Sequence, residues 1–510
     1  MKKIIFTFAL LVPAMTFFWG CNENPVSSTK DTLVYKDTLY ITDTSKAPGQ
    51  IYANFAHSDI SDLTFLKDMK TLEWLNLDSN LFSDLSPLSN LVNLQYLNLK
   101  NNYLISNIAP LARLHKLTYL NLEGNWRITN IDSLGGLTTL EDLSLLSANG
   151  VTDISPLSKL KNLKKLDLGW ANGITTYNAC STLTKLEWIR LGGMAATSIS
   201  GISNLPNLKT ILMSNNALKS IELSNLPNLK SDDFKYCDSV PVVMLSNIPI
   251  IDTIDLNSCR RIKQLSLTGL GGLKALIIAS DSLTNATITL NGLSSIDSIA
   301  AGLPRITKLT FINGMTSLRS LNVTSAQALT DISDITTLTG LKNLILSYNS
   351  SLADISPVQG LAGLTNLTIS NCSSISDVSP LSGLTNLENL DISSNTAITS
   401  IAAVSGLTKL KSLNMHYCKG LDSILPDMSA LTQLRFLNIN NCSSLKDVSG
   451  ISTLSGINCI DMMYCGLDPT TVKPLLQTLQ GGDTLKFIKA QLDSVEFANL
   501  TATGVIMKFY

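Results

Sequence analysis

Charge is scarce in this chain. Lys and Arg total 38 and Asp and Glu 39, so 15% of the 510 residues are charged and the formal net charge is −1. That is well under the usual share. It excludes the basic stripe with which a nucleic-acid binder displaces counterions from phosphates. Histidine is scarcer still, limited to His57, His115 and His416, and none has an acidic or cysteine neighbour at a spacing suited to zinc. The sequence has no glycine-rich phosphate loop and no G-x-S-x-G elbow. Asp and Glu are scattered over turns, so the sequence points to a protein with no enzyme chemistry, no cofactor and no metal. With so little charge, solubility falls to Ser, Thr and Asn.

What the chain has in abundance is one phrase. Leu387-Glu-Asn-Leu390-Asp-Ile392-Ser-Ser-Asn395 reads L-x-x-L-x-L-x-x-N. It returns as Leu364, Leu367, Ile369 and Cys372, and again as Leu410, Leu413, Met415 and Cys418. The closing positions 372, 395 and 418 are 23 residues apart each time. Self-similarity of this length and wording predicts a leucine-rich repeat solenoid. Each unit of such an array packs on its neighbours, so one core grows with length and 510 residues need not divide into several domains.

The array reads as about 19 units of 20 to 25 residues over 51–465. It opens weakly at Ala53-Asn-Phe55, then Leu75-Asn-Leu77-Asp-Ser-Asn80. The closing position then falls at Asn102, Asn125, Ala148, Ala171, Met194, Asn216, Cys237, Cys259 and Asp281, and later at Ala326, Asn349, Cys372, Asn395, Cys418, Cys442 and Cys465. The L-x-L alternation has period two, so Leu75 and Leu77 point inward and Trp74, Asn76 and Asp78 outward. Strands of this kind pair in parallel and form the concave face of a curved, β-rich array. The closing Asn serves the backbone of a buried bend.

The second half of a unit is also legible. Thr152-Asp-Ile-Ser-Pro-Leu157, Ala353-Asp-Ile-Ser-Pro-Val358 and Ser376-Asp-Val-Ser-Pro-Leu381 predict a turn and then a single turn of 3₁₀ helix on the convex side. Residues 217–320 lose Pro-Leu, and Ser220-Ile-Glu-Leu and Gln264-Leu-Ser-Leu alternate with period two, which predicts an extended outer wall there. With D-I-S-P-L beside the phrase, the chain resembles the internalin class of bacterial leucine-rich repeat proteins over about residues 51–465. It differs in an extra residue after the Asn and in showing no helical cap before residue 51. The resemblance implies a surface protein that grips another protein.

The ends lie outside this pattern. Residues 1–20, with Lys2, Lys3 and an apolar run from Ile4 to Gly20, read as a secretory signal too short to span a membrane. Cys21 straight after Gly20 is similar to the lipobox of bacterial lipoproteins, which implies a lipidated Cys21 and a membrane anchor, simple secretion being the alternative. Either way the folded part is extracytoplasmic, at the cell envelope or surface. Residues 21–50 then form an extended linker, containing the near-duplicates Lys30-Asp-Thr-Leu-Val-Tyr35 and Lys36-Asp-Thr-Leu-Tyr-Ile41. Residues 466–510 read as a C-terminal cap. Asp468 caps a helix with Pro469 at its first position, and the closing Val-Ile-Met-Lys-Phe-Tyr510 forms a strand.

Nine cysteines could signal disulfides. Cys237, Cys259, Cys372, Cys418, Cys442 and Cys465 occupy the closing position, so the phrase reads them as buried free thiols. A disulfide among the consecutive Cys418, Cys442 and Cys465 is the alternative, since strand spacing falls within disulfide reach. The functional signal is in the outward positions. The third position presents Trp74, Tyr96, Tyr119, Asp142, Lys165 and Trp188, and the fifth presents Asn76, Asn98, Asn121, Ser144, Asp167 and Arg190. Aromatic rings beside Arg are the composition of interface hot spots. Trp74, Tyr96, Tyr119, Lys165, Asp167, Trp188 and Arg190 are therefore the candidate binding residues. His416, Tyr417, Phe436 and Tyr464 form a looser second group. A protein ligand is the expected partner, with carbohydrate stacked on the aromatic faces as the alternative.

Overall fold

The computed structural model describes residues 51–509 except 194, 215–216, 234–237, 455 and 488–493. The signal, Cys21 and the linker, and the phrase positions Met194, Asn216 and Cys237, lie outside the described residues.

Each phrase folds as a short strand because its alternate Leu residues can be buried together only in extended backbone. Leu75 and Leu77 are fully buried, while Trp74, Asn76 and Asp78 between them remain half exposed. Neighbouring strands pair in parallel with like positions opposite, Trp74 with Tyr96 and Tyr96 with Tyr119. The strands form two open sheets. One has nine, from Tyr52–Asn54 to Ser231–Asp233, and the other twelve, from Thr253–Leu256 to Ile506–Phe509. The fold is a leucine-rich repeat solenoid whose single apolar cluster runs from Ala53 to Val505.

The outer wall changes with the sequence. Where the chain reads D-x-S-P, the Asp carboxylate accepts the N–H of the Ser two residues on, at 2.8 Å for Asp153, Asp354 and Asp377. The Pro then opens a 3₁₀ turn, Ser155–Lys159, Ser356–Gly360 or Ser379–Gly383, which buries Leu157, Val358 or Leu381. In the middle the outer wall is a parallel sheet, Ile221–Ser224, Val242–Ser246, Gln264–Thr268 and Ile288–Asn291. Among the described residues no ladder pair joins Ser231–Asp233 to Thr253–Leu256, and this outer sheet runs past the break.

Bends are held by the closing Asn. The Asn102 amide donates to the carbonyls of Leu77 and Leu99, both at 2.9 Å, and its oxygen accepts the Asn80 N–H at 3.0 Å. In one unit the slot is shifted. Ser280, not Asp281, is buried there, and its hydroxyl donates to the Ile262 carbonyl at 2.5 Å. The strand Ala275–Ala279 runs one residue past the buried Leu276 and Ile278, and Asp281 is left exposed. Cys372, Cys418, Cys442 and Cys465 fill the slot as free thiols.

The C-terminal segment holds more than one helix and one strand. It runs helix Pro469–Leu476, strand Thr484–Phe487, helix Ser494–Ala502, strand Ile506–Phe509. Asp468 caps the first helix through the Thr470 N–H at 2.9 Å. Both strands join the sheet in parallel, so the segment lengthens the array by two strands. Thr484–Phe487 has the alternation of a phrase but no closing Asn, and that concealed it in the sequence.

Candidate binding face

The strand ladder dictates how the outward rings meet. Strands about 4.8 Å apart bring rings at equivalent positions to roughly stacking distance. Trp74 and Tyr96 lie 4.8 Å apart, inclined by 13°, and Tyr96 and Tyr119 lie 4.2 Å apart, inclined by 4°. The faces between neighbours are therefore covered, and the half-buried strip presents ring edges to solvent. Burial, and then the neighbouring Tyr119 and Asp142, raise the Tyr96 hydroxyl well above the usual phenol range. Burial followed by Asp142 raises Tyr119 too. The row begins one strand earlier than the sequence indicated. Tyr52 stands opposite Trp74, and its imperfect phrase had hidden it.

Charge follows the rings. Tyr119 stands opposite Asp142, Asp142 opposite Lys165, and Lys165 opposite Trp188, so two charged strands separate Trp188 from the aromatic stack. The Lys165 ammonium is 3.8 Å from Asp142, and the Arg190 guanidinium is 3.1 Å from Asp167. That guanidinium also lies 5.4 Å from the centre of the Trp188 ring. Burial raises the carboxyls of Asp142 and Asp167. Lys165 opposes the shift at Asp142, while the Gly169 N–H and Arg190 oppose it at Asp167. The result is a row of ring edges continued by two ion pairs in which the carboxylates are the more buried partners.

A flanking line of apolar side chains escaped the sequence reading. Leu81, Tyr103 and Trp126 follow the closing Asn in three consecutive units and are 52%, 51% and 48% exposed. Arg127 lies 4.9 Å from the Trp126 ring centre. The signal for them was present in the sequence, as three large apolar residues at one phrase position beyond the strand.

The second group divides in two. Phe436 is a third-position residue at the start of its strand. Tyr417 and Tyr464 sit in the turn after the strand, together with His416, whose ring centre is 5.9 Å from that of Tyr417. The imidazole Nδ1 of His416 lies 3.1 Å from the Asn440 carbonyl, and Lys419 donates to the Tyr417 hydroxyl at 3.0 Å. Among the described residues no three His, Cys, Asp or Glu side chains gather where a metal could be held.

A sequence model described as leucine-rich repeats, in two copies, matches residues 115–159, the strip's Tyr119 among them. A comparison with curated proteins finds no match. Among solved structures, an internalin (InlF) from Listeria monocytogenes is similar at 21% identity and a TM-score of 0.29, over 81% of this chain and 86% of that one. A leucine-rich repeat protein of Leptospira interrogans is similar at 19% identity and a TM-score of 0.32, over 84% and 93% of the two chains. The functional domain of InlJ from Listeria monocytogenes, which includes a cysteine ladder, is similar at 21% identity and a TM-score of 0.31, over 81% and 74%.

Proposed function

We propose that this chain is a non-catalytic binding protein of the cell envelope or surface, and that the strand face from Tyr52 to Arg190 grips a protein ligand. One observation carries the reading: Trp74, Tyr96 and Tyr119 form a continuous half-buried stack that runs into the pairs Asp142–Lys165 and Asp167–Arg190. Aromatic rings and Arg, half buried beside paired charges, are the usual content of interface hot spots, and a contiguous apolar patch rimmed by polar groups marks an interaction site. Carbohydrate at the same strip is the weaker reading. Sugars stack on ring faces, and here the faces between neighbouring rings are occupied by one another.

The test is to screen the folded protein against arrays of extracellular proteins and of glycans, beside the triple variant Trp74→Ala, Tyr96→Ala, Tyr119→Ala. The variant is expected to melt near the parent and to lose its protein hits by at least tenfold in affinity. Protein binding that survives the triple substitution would falsify the assignment. Glycan hits that vanish with the rings would favour the alternative.

We further propose that the N-terminal Cys21 carries a lipid anchor. No helix among the described residues is long and apolar enough to cross a membrane. Metabolic labelling with a fatty acid should mark the chain but not its Cys21→Ser variant. Label retained in that variant would rule out the anchor and leave simple secretion.

A further inference from the structure

The residue just before each closing position bends into left-handed backbone. Ser79, Asn101, Gly124, Ser147, Asn371, Ser394 and Asn441 all take positive φ there. Gly, Asn and, at lower cost, Ser suit such a site, whereas a bulky side chain in it is a true outlier. Yet Trp170, Tyr348, Tyr417 and Tyr464 hold φ of 55°, 60°, 62° and 57° at the same place. Each ring is exposed by 40% or more, so core packing does not explain the choice. Strain of this kind, kept without a packing return, points to use.

Three of the four lie along the C-terminal half of the array, and their surroundings differ from the strip's. Among the described residues no second ring stacks face to face on Tyr348, Tyr417 or Tyr464, although the Lys419 ammonium lies over one face of Tyr417, 4.1 Å from its ring centre. Their neighbours at the same position are short and polar: Ser325 and Asn371 beside Tyr348, Ser394 and Asn441 beside Tyr417, with Asn441 also beside Tyr464. The Tyr417 N–H donates to Asn440 O and the Asn441 N–H to Met463 O, both at 2.8 Å, so these turns continue the strand ladder. Tyr417 and Tyr464 thus stand two strand spacings apart, about 10 Å, with Asn441 between them, its amide nitrogen donating to the Asn440 side-chain oxygen at 2.5 Å and its own oxygen left as the acceptor the site needs. The adjoining strand face carries little charge. From Ser320–Val323 to Cys459–Asp461 the charged side chains at the third, fifth and seventh positions are Asp391 and Asp461, the latter paired with Lys486 at 3.3 Å, and the rest are mostly Asn, Ser and Thr. Asn389 donates to the Asn366 side-chain oxygen at 2.6 Å, and Asn366 in turn to Asn343.

We propose that Tyr348, Tyr417 and Tyr464 form a second binding site, for an extended neutral polysaccharide lying along the turn edge. Ring faces that no second ring covers stack on pyranose rings, on Tyr417 the face away from Lys419, and amides and hydroxyls meet sugar hydroxyls without needing charge. The advance per strand is comparable with the advance per sugar of an extended β-linked chain, so Tyr417 and Tyr464 would take alternate sugars while Asn441 bonds the one between. This site is separate from the aromatic strip and does not rest on that reading.

The test is native-gel electrophoresis through hydroxyethyl cellulose and through galactomannan, soluble β-1,4-linked chains. Both, or one of them, should retard the parent protein. The double variant Tyr417→Asn, Tyr464→Asn should lose at least tenfold in affinity while melting at or above the parent temperature, because Asn accepts left-handed backbone more readily than Tyr. The triple alanine variant of the strip should be retarded like the parent. Absence of retardation in both polymers overturns the proposal, and so does retardation that survives the double substitution or disappears with the strip rings instead. A double variant that melts far below the parent would show the rings to be structural and overturn it equally.

Discussion

At the closing position Asn and Cys fill the same slot with different completeness. The Asn102 side chain donates to two carbonyls and accepts one N–H, which joins two units and closes its own turn. The thiols of Cys418, Cys442 and Cys465 donate to the preceding unit, to Ile392 O, Met415 O and Ile439 O at 3.2, 3.1 and 2.9 Å, and Cys465 also reaches Met463 O of its own unit at a long 3.8 Å. The N–H groups of Cys418 and Cys442 turn instead to the carbonyl three residues back. Burial pushes the Cys418 and Cys465 thiols up to about 11, far from the reactive range. These residues were legible because the phrase names their slot. The strip's chemistry was only half legible: sequence placed the rings on one face, but covered ring faces are a matter of distance and tilt. Its carboxyls give a prediction. Burial raises Asp142 above its ordinary value of 3.8. As pH rises, the unfolded chain therefore releases this proton first, and stability falls between 3.8 and the raised folded value and is level above it. Asp142→Asn removes that fall. The variant should melt at or above the parent at pH 7 and lose the advantage near pH 3, as read by thermal melts across pH. An advantage that persists unchanged at pH 3 would show that Asp142 is not held against its charge.

Elements in this chain follow their own short texts. D-x-S-P produces a 3₁₀ turn because the carboxylate holds the Ser N–H and Pro has none to lose. Leu-x-Leu-x without Pro produces an outer strand. On that outer sheet the turns carry a second left-handed line, Asn204, Asn225 and Asn247 at φ of 62°, 55° and 55°. Asn225 donates to the Asn204 oxygen at 2.7 Å and Asn247 to the Asn225 oxygen at 3.0 Å. With Pro206, Pro227 and Pro249 they line a shallow groove of about 650 Å³. Its Asn225 and Asn247 amides are spent on one another, so the groove reads as structure. The line passes next to Gly269, at φ of 65°, where an added Cβ would come within 2.9 Å of the Asn247 oxygen. Gly269→Ala should lower unfolding free energy by about 1–2 kcal/mol. Gly269→Asn should cost less, since it tolerates the backbone and can extend the amide row. Urea melts of both variants check this, and Ala proving the milder change would refute the account. The C-terminal elements show where such texts fail. Thr484–Phe487 and the helix Ser494–Ala502 have neither closing Asn nor D-x-S-P, and the strand is placed by the sheet edge it joins.

Over the whole molecule, the period of the sequence is also a period of contact. Every described strand of the main sheets pairs with neighbours in chain order and in register, with third position opposite third. Stability in such an array is close to a sum of unit terms and nearest-neighbour terms. Removing one whole unit should therefore cost one set of each and leave the remainder in register. Deletion of residues 373–395 takes away 23 residues between Cys372 and Thr396. It brings the strand Asn366–Thr368 directly beside Ser412–Asn414, Leu367 opposite Leu413, as Leu367 now meets Leu390. The shortened chain should melt cooperatively within several degrees of the parent, and the strip from Tyr52 to Arg190 should bind as before. Deleting only 384–395 removes 12 residues, about half a period, and would set the inward leucines of one unit against the outer wall of the next. That variant should lose the cooperative transition of the C-terminal half, seen by circular dichroism and hydrogen exchange. If the two deletions melted alike, the repeat would be a pattern in the sequence without being the unit of packing.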